Sequence, residues 1–440
     1  MLLTIVTAGS RGDVQPYVAL GLGLQRAGYR VRLATHETFR EFVTGRGLDF
    51  EGIAGDPRAI LSSAAADAWL ATGRNRNMVA FARELRRLAG PLVEQSLHDY
   101  WRVCRGTDAV IFSAVALPAY DVARRLGVPA IGAFLQPLTR TRYFPTVGAR
   151  PAATAGGTVD AVPAAPGALR GIVNYATHVA AEQALWQPLR SRVNRWRVET
   201  LGVGAAPFFG PYAAMRREQV PLLYGYSPRV VAKPADWGHH VHVTGYWVLA
   251  PDDAWRPDPA LEAFLAAGEP PVYVGFGSMT PASAGPLTEI ALNALERTGQ
   301  RGVLLRGWGS LGEGALPPWA TSVGDVPHEW LLPRMRAVVH HGGAGTTGAA
   351  LRSGAPSVVV PLGFDQPFWG RRVAALGVGP PPLPRRRLAA DALARAVERA
   401  VTDASMRERA VSLGDALRAE DGVERAVEAV DLELRRGVGR

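Results

Sequence analysis

The chain is poor in cysteine, in long apolar runs and in clustered metal ligands, and each shortage removes a class of protein. Cys104 is the only cysteine in 440 residues. One thiol forms no internal disulfide and no cysteine-rich metal site. No apolar run reaches the roughly 18 residues that a membrane-spanning helix needs. The opening MLLTIVTAGSRG has no basic residue ahead of its apolar stretch, so it reads as a buried strand rather than a signal peptide. A cytoplasmic location is the resulting expectation, with membrane contact limited to the periphery. No spacing of His, Cys, Asp and Glu suggests a metal site.

Positive charge, by contrast, is in excess. The formal net charge is +10, which favours anionic guests such as a nucleotide diphosphate, an acidic lipid or a nucleic acid. Nucleic acid is set aside, because the basic residues do not interleave with aromatics and no nucleic-acid motif is present. A composition of 48% hydrophobic and 20% charged residues fits a soluble enzyme with a real core. The length leaves room for two or three domains of about 150 residues.

Alternation gives the architecture. Leu2 to Thr7, Arg30 to Ala34, Ala109 to Phe112 and Pro129 to Ala133 read as strands. Helices are expected at Tyr17 to Arg26 behind Pro16, at Glu37 to Arg46 and at Ala119 to Leu126. Residues 144–170 are rich in Pro, Ala and Gly and read as a long loop, with helices resuming from Gly171 to Leu201. The alternation restarts with strands at Pro271 to Phe276, Val303 to Leu305, Ala337 to His340 and Ser357 to Val360, and three helices fill Ala389 to Leu434. Strands alternating with helices imply parallel pairing, so the class is α/β, with two Rossmann-like domains facing a cleft. The expected divisions are a first domain at residues 1–236, a Pro-rich linker at 237–260, a second domain at 261–405, and terminal helices at 406–440 expected to pack back on the first domain.

Two loops carry chemistry. In the second half the strand AVVH runs into His340-His341-Gly342-Gly343-Ala344-Gly345-Thr346-Thr347 and then a helix. Glycines allow close backbone approach, and a helix N-terminus offers unpaired N–H groups and positive potential, which suits a diphosphate. His340 and Thr347 read as capping and packing residues. In the first half Gly9-Ser10-Arg11-Gly12-Asp13-Val14-Gln15-Pro16 follows the first strand. It lacks the G-x-G-x-x-G spacing of a dinucleotide site and puts a carboxylate mid-loop, which argues against a nicotinamide or flavin enzyme. Asp13 can take a proton from an acceptor hydroxyl, or it can cap the following helix; Arg11 can steer the loop or pair with Asp13.

The stretches GSRGDVQPYVALGLGLQRAGYRVRLATHETF, HVHVTGYW, PVYVGFGSM and HHGGAGTT…GFDQPFW together resemble the family-1 glycosyltransferases of the GT-B fold. The resemblance is strongest to the branch holding sterol glucosyltransferases and the glycopeptide- and macrolide-antibiotic glycosyltransferases, and it covers nearly the whole chain. It implies an inverting, metal-independent transfer from a UDP- or dTDP-sugar to a hydroxyl of a hydrophobic acceptor, with no cofactor beyond the sugar nucleotide. On that resemblance Asp13 is the base, set in the loop of Ser10, Arg11 and Gly12. His341, Gly343, Gly345, Thr346 and Ser278 hold the diphosphate, while Val326 and His328 bracket the nucleoside base. Trp308 either shapes the base pocket or packs as an ordinary loop residue. Asp365 and Gln366 bind the donor sugar hydroxyls. Acceptor contacts are expected from Trp69, Met78, Phe81, Phe134, Leu135, Tyr143 and Phe144. Residues 73–88, basic and amphipathic, are a candidate membrane-surface segment. A monomer or weak homodimer is expected. The alternatives are a lipid or cell-wall glycosyltransferase and an auxiliary protein that has kept the fold and lost catalysis.

Overall fold

The structure is a computed structural model and describes residues 1–56, 90–149, 166–252, 254–277, 285–307 and 311–438. Trp69, Met78, Phe81, Ser278 and Trp308 lie outside the described residues, as does the basic segment 73–88.

The first sheet holds β1 (Leu2–Val6), β2 (Arg30–His36), β3 (Asp49–Ile53), β4 (Ala109–Phe112), β5 (Ala130–Phe134), β6 (Leu222–Tyr224) and β7 (Val241–Val243). All pair in parallel, in the order β3-β2-β1-β4-β5-β6-β7. The second sheet holds β8 (Val272–Gly275), β9 (Gly302–Leu305), β10 (Ala320–Val323), β11 (Ala337–His340) and β12 (Ser357–Val359), parallel and ordered β10-β9-β8-β11-β12. Every residue of β4, β8, β9 and β11 is buried. Helices cover both faces of such sheets, so the strands read as continuous apolar runs.

Strand order places the site. The chain runs from β1 outward to β3, then returns to lay β4 on the other side of β1. The second sheet repeats the reversal between β8 and β11. At each reversal neighbouring loops diverge at the carboxyl ends of the strands and leave a crevice. The Thr7–Ser10 loop leaves β1 and leads into the helix turn that holds Asp13, and the His341–Gly343 loop leaves β11, so each crevice carries one of the two chemical segments.

Several sequence expectations are corrected in detail. The first helix is Arg11–Arg26, which puts Pro16 inside it rather than at its start. The helix starts early because Ser10 and Asp13 form a capping box, which satisfies two N–H groups at the terminus. The segment 237–260 is not all linker, since β7 belongs to the first sheet. Ala168–Glu199 is one helix of 32 residues that runs through Pro188. Buried Trp186 on one side of that proline and Val193 and Trp196 on the other hold the two halves in register. The strands β3, β6 and β10 were too short, or too mixed in polarity, to show in the pattern.

The C-terminal helices divide between the domains. Ala404–Arg418 lies against the Ala344–Ser353 helix of the second domain. Gly422–Val438 instead packs on the first, where Val423, Val427, Val430 and Leu434 are buried with Ile5, Val14 and Leu20. Each such aliphatic side chain contributes about 1.5–3 kcal/mol of transfer free energy. The chain therefore passes between domains twice, and the passages touch: a Cβ on Gly245 would stand 3.0 Å from the Gly422 Cα. Among the described residues no helix is long and apolar enough to cross a membrane.

Candidate active site

A cleft of about 1120 Å³ separates the domains, walled by Gly9, Ser10 and Asp13 on one side and Gly343, Thr346 and Asp365 on the other. Val326, His328, His341 and Gly345 also line it, as do Arg11 and Gly12.

On the second domain, β11 delivers His341 to the strand end and Gly343 starts the Ala344–Ser353 helix. No side chain caps that helix, and its first intrahelical bond is Thr347 N–H to Gly343 C=O. The N–H groups of Ala344, Gly345 and Thr346 have no intrahelical acceptor, so the cleft wall is electropositive there. The His341 ring lies against Gly277 and Gly343, and among the described residues its buried Nδ1 has no hydrogen-bond partner. Burial, reinforced by His328, pushes His341 down to about 4, which favours the neutral ring near neutral pH. His340 is fully buried and its Nδ1 accepts the Gly342 N–H at 3.1 Å, a packing role. His328 sits 3.2 Å from the Tyr273 hydroxyl, and burial and Arg11 push it down to about 4.

Asp365 precedes the Gln366–Ala375 helix, and its carboxylate accepts the Trp369 indole N–H at 2.9 Å. Burial pushes Asp365 up to about 6; the Asp13 charge adds to this, while bonds from Trp369 and Gln136 oppose it. Gln366 lines the cleft beside Asp365. Its amide oxygen accepts the N–H groups of Leu362 (2.7 Å) and Gly363 (3.1 Å), so it organises the loop that presents Asp365.

The raised Asp365 makes a stability prediction. The native state holds this proton more tightly than the unfolded chain does, so the ionised carboxylate costs stability once pH passes about 6. Below the ordinary carboxylate range both states are protonated at this position and the cost vanishes. Asp365→Asn is expected to stabilise the free protein by on the order of 1–2 kcal/mol above neutrality. Melting curves at pH 7.5 and pH 4.5 check this: the gain should shrink at the acid end, and an equal gain at both would refute the electrostatic cause.

On the first domain the Asp13 carboxylate caps the helix and also faces the cleft. Its Oδ2 accepts the Ser10 N–H (2.9 Å) and the Ser10 hydroxyl (3.0 Å), which closes the helix N-terminus. The same carboxyl lines the cleft, and burial raises it above the usual carboxylate range against those two bonds. Arg11 does not pair with Asp13. Its guanidinium reaches across the cleft to Asp325 and lies over the Phe42 ring at 4.9 Å.

The acceptor side needs the largest correction. Phe134 is a core residue, edge-on to Phe112 and Tyr224 at 6.1 and 6.0 Å. Phe144 packs among His178, Trp237 and Phe368, between the domains. Tyr143 is not among the lining residues, whereas Leu135 is. In their place the cleft has an apolar arm built from Leu92, Val93, Leu97 and Tyr100 on the Gly90–Val103 helix. Leu185, Trp186 and Leu189 of the long helix complete it, with Tyr212. The amphipathic spacing of residues 92–100 was the one available signal.

Two parallel Rossmann-like domains with a nucleotide-type helix N-terminus on one and a loop carboxylate on the other define a GT-B architecture. Known proteins agree. The glycosyltransferase family 28 N-terminal domain matches residues 3–133. The erythromycin biosynthesis protein CIII-like C-terminal domain matches residues 310–429. The two domain models match separate parts of the chain, and its fold is the GT-B fold. It is 37% identical to the sterol 3-beta-glucosyltransferase of Cryptococcus neoformans over all of its own length and 28% of that protein. It is 36% identical to that of Saccharomyces cerevisiae over 98% of its length and 35% of the relative's. The chain thus spans about a third of the curated relatives it matches. Among solved structures it superposes on the glycosyltransferase VinC in complex with dTDP, with a TM-score of 0.64 at 19% identity and full coverage of both chains. The calicheamicin glycosyltransferase CalG4 gives 0.63 at 18%, covering 99% of this chain and 98% of that one.

Proposed function

We propose that the protein transfers a sugar from a nucleoside diphosphate onto a hydroxyl of an apolar small molecule, with inversion at the anomeric carbon. The observation that carries this reading is the opposition, across one cleft, of the Asp13 carboxyl and the uncapped helix N-terminus at Gly343. In the proposed step Asp13 takes the acceptor's hydroxyl proton while the acceptor oxygen bonds to the anomeric carbon. The bond from that carbon to the phosphate oxygen breaks, and its electron pair leaves with the diphosphate. The growing charge meets the N–H groups of Ala344 to Thr346, the Thr346 hydroxyl and neutral His341. Asp365 accepts bonds from the sugar hydroxyls, and Val326 and His328 flank the base. Ser278, outside the described residues, is assigned to the phosphate on the resemblance of its motif alone.

The sterol glucosyltransferase relatives and the apolar arm support a sterol-like or other polycyclic acceptor. The test is a panel of UDP- and dTDP-sugars scored by thermal shift, followed by transfer assays with sterol and macrolide acceptors. We expect stabilisation by at least one sugar nucleotide and its consumption when an acceptor is added. Failure of every sugar nucleotide to bind would overturn the reading.

A further inference from the structure

We propose that His36 is a positioning residue for Asp13: its unprotonated Nε2 accepts the Gly9 N–H and so fixes the loop that presents the carboxylate. This rests on the glycosyltransfer reading above and adds to it a residue that lines the same cleft and acts through Asp13. His36 ends β2, the strand beside β1, and is 6% exposed. The Gly9 N–H donates to its Nε2 at 3.1 Å. Gly9 adopts φ +126°, and a Cβ there would lie 2.5 Å from the Asp13 Oδ2. The next residue, Ser10, gives both of its donors to that same oxygen. A single run of bonds therefore connects the imidazole, the strained glycine, the serine and the carboxylate.

The arrangement dictates the state of the ring. A nitrogen that accepts from a backbone N–H carries no proton, so the neutral ring holds its proton on Nδ1. That nitrogen is buried and faces the turn at Gly55. Burial lowers the basicity of His36, while the Ala54 backbone and the Asp56 carboxylate pull in the other direction. Among the described residues Asp99 accepts the Ala54 N–H at 2.8 Å, and Asp13 and Arg11 stand in the first turn of the helix that follows Gly9 and Ser10. Protonation at Nε2 would set donor against donor. The Gly9 bond would then break and the loop would lose its anchor, so turnover should fall at acid pH for a reason separate from Asp13's own titration.

The test compares His36→Phe, which keeps a flat ring and removes the acceptor, with His36→Gln, whose amide oxygen reaches the Nε2 position. Amide hydrogen exchange at Gly9 and Ser10 is read together with kcat, donor KM and the pH profile. In His36→Phe we expect Gly9 exchange to quicken and kcat to fall by about tenfold or more, with donor KM little changed. His36→Gln should recover both and flatten the acid limb, because an amide does not titrate. Two results would overturn the proposal. One is wild-type Gly9 protection and kcat in His36→Phe. The other is a His36→Gln protein that melts normally yet is no closer to wild type than His36→Phe. If the wild type transfers no sugar, the glycosyltransfer reading fails by itself, and Gly9 exchange in the three proteins still decides what His36 does.

Discussion

Asp13→Asn is expected to lower turnover by about 10³-fold while leaving nucleotide affinity near wild type and the melting point no lower than wild type. The substitution is clean because asparagine keeps the oxygen that accepts from Ser10, so the capping box at the head of the Arg11–Arg26 helix survives. What disappears is the capacity to hold a proton. The wild-type carboxyl suits that task, since burial raises its basicity toward that of an acceptor hydroxyl in transit. Single-turnover assays with saturating donor, set beside calorimetric titration of the nucleotide diphosphate, separate the two effects. Unimpaired turnover would remove Asp13 from its role and leave it as a helix cap alone.

His341→Ala should act on the other half of the reaction and cost about 10²–10³-fold in kcat/KM, with weaker nucleotide binding. The ring is buried against Gly277 and Gly343, and its Nδ1 has no partner among the described residues. A buried polar atom left in that condition is costly unless a ligand satisfies it. A diphosphate would do so and would also raise the ring from its value of about 4 in the empty cleft. Binding should therefore draw in protons as pH falls toward 6, which calorimetry in buffers of different ionisation heat would detect. Loss of that proton uptake in His341→Ala, with the rate penalty, is the expected pair of results. A variant with full affinity and full rate would show that the helix N-terminus is sufficient without the imidazole.

The donor half of the site was legible because it is built from backbone. A strand ending in AVVH, three glycines and a helix start can fold in few ways, and the N–H groups follow from the chain path alone. Asp13 was legible for the same reason, being fixed by the turn after β1. The acceptor half is made of side chains whose direction depends on packing. Phe134 and Leu135 are adjacent at the end of β5, and alternation sends the first into the core and the second to the cleft. Nothing in FLQPL says which face is which until β6 pairs beside it. Phe144 was misplaced because an aromatic after a strand looks alike whether it meets a ligand or another domain. The apolar arm came from two helices with no motif. Gln366 shows a subtler limit: its neighbourhood with Asp365 was plain, yet only the loop geometry reveals that its oxygen faces Leu362 and Gly363.

The contact between Gly245 and Gly422 leaves no room for a side chain where the two crossings meet. A Cβ on Gly422 would collide with the Tyr246 carbonyl oxygen and stand 2.8 Å from that of Gly245, so the backbones themselves form the seam. Beside it the buried Arg372 guanidinium donates to the Val230 carbonyl of the first domain, and Trp369 packs edge-on to Tyr226. The two lobes are thus fastened at the back of the cleft by bare main chain and buried aromatic rings, while polar loops face each other across its mouth.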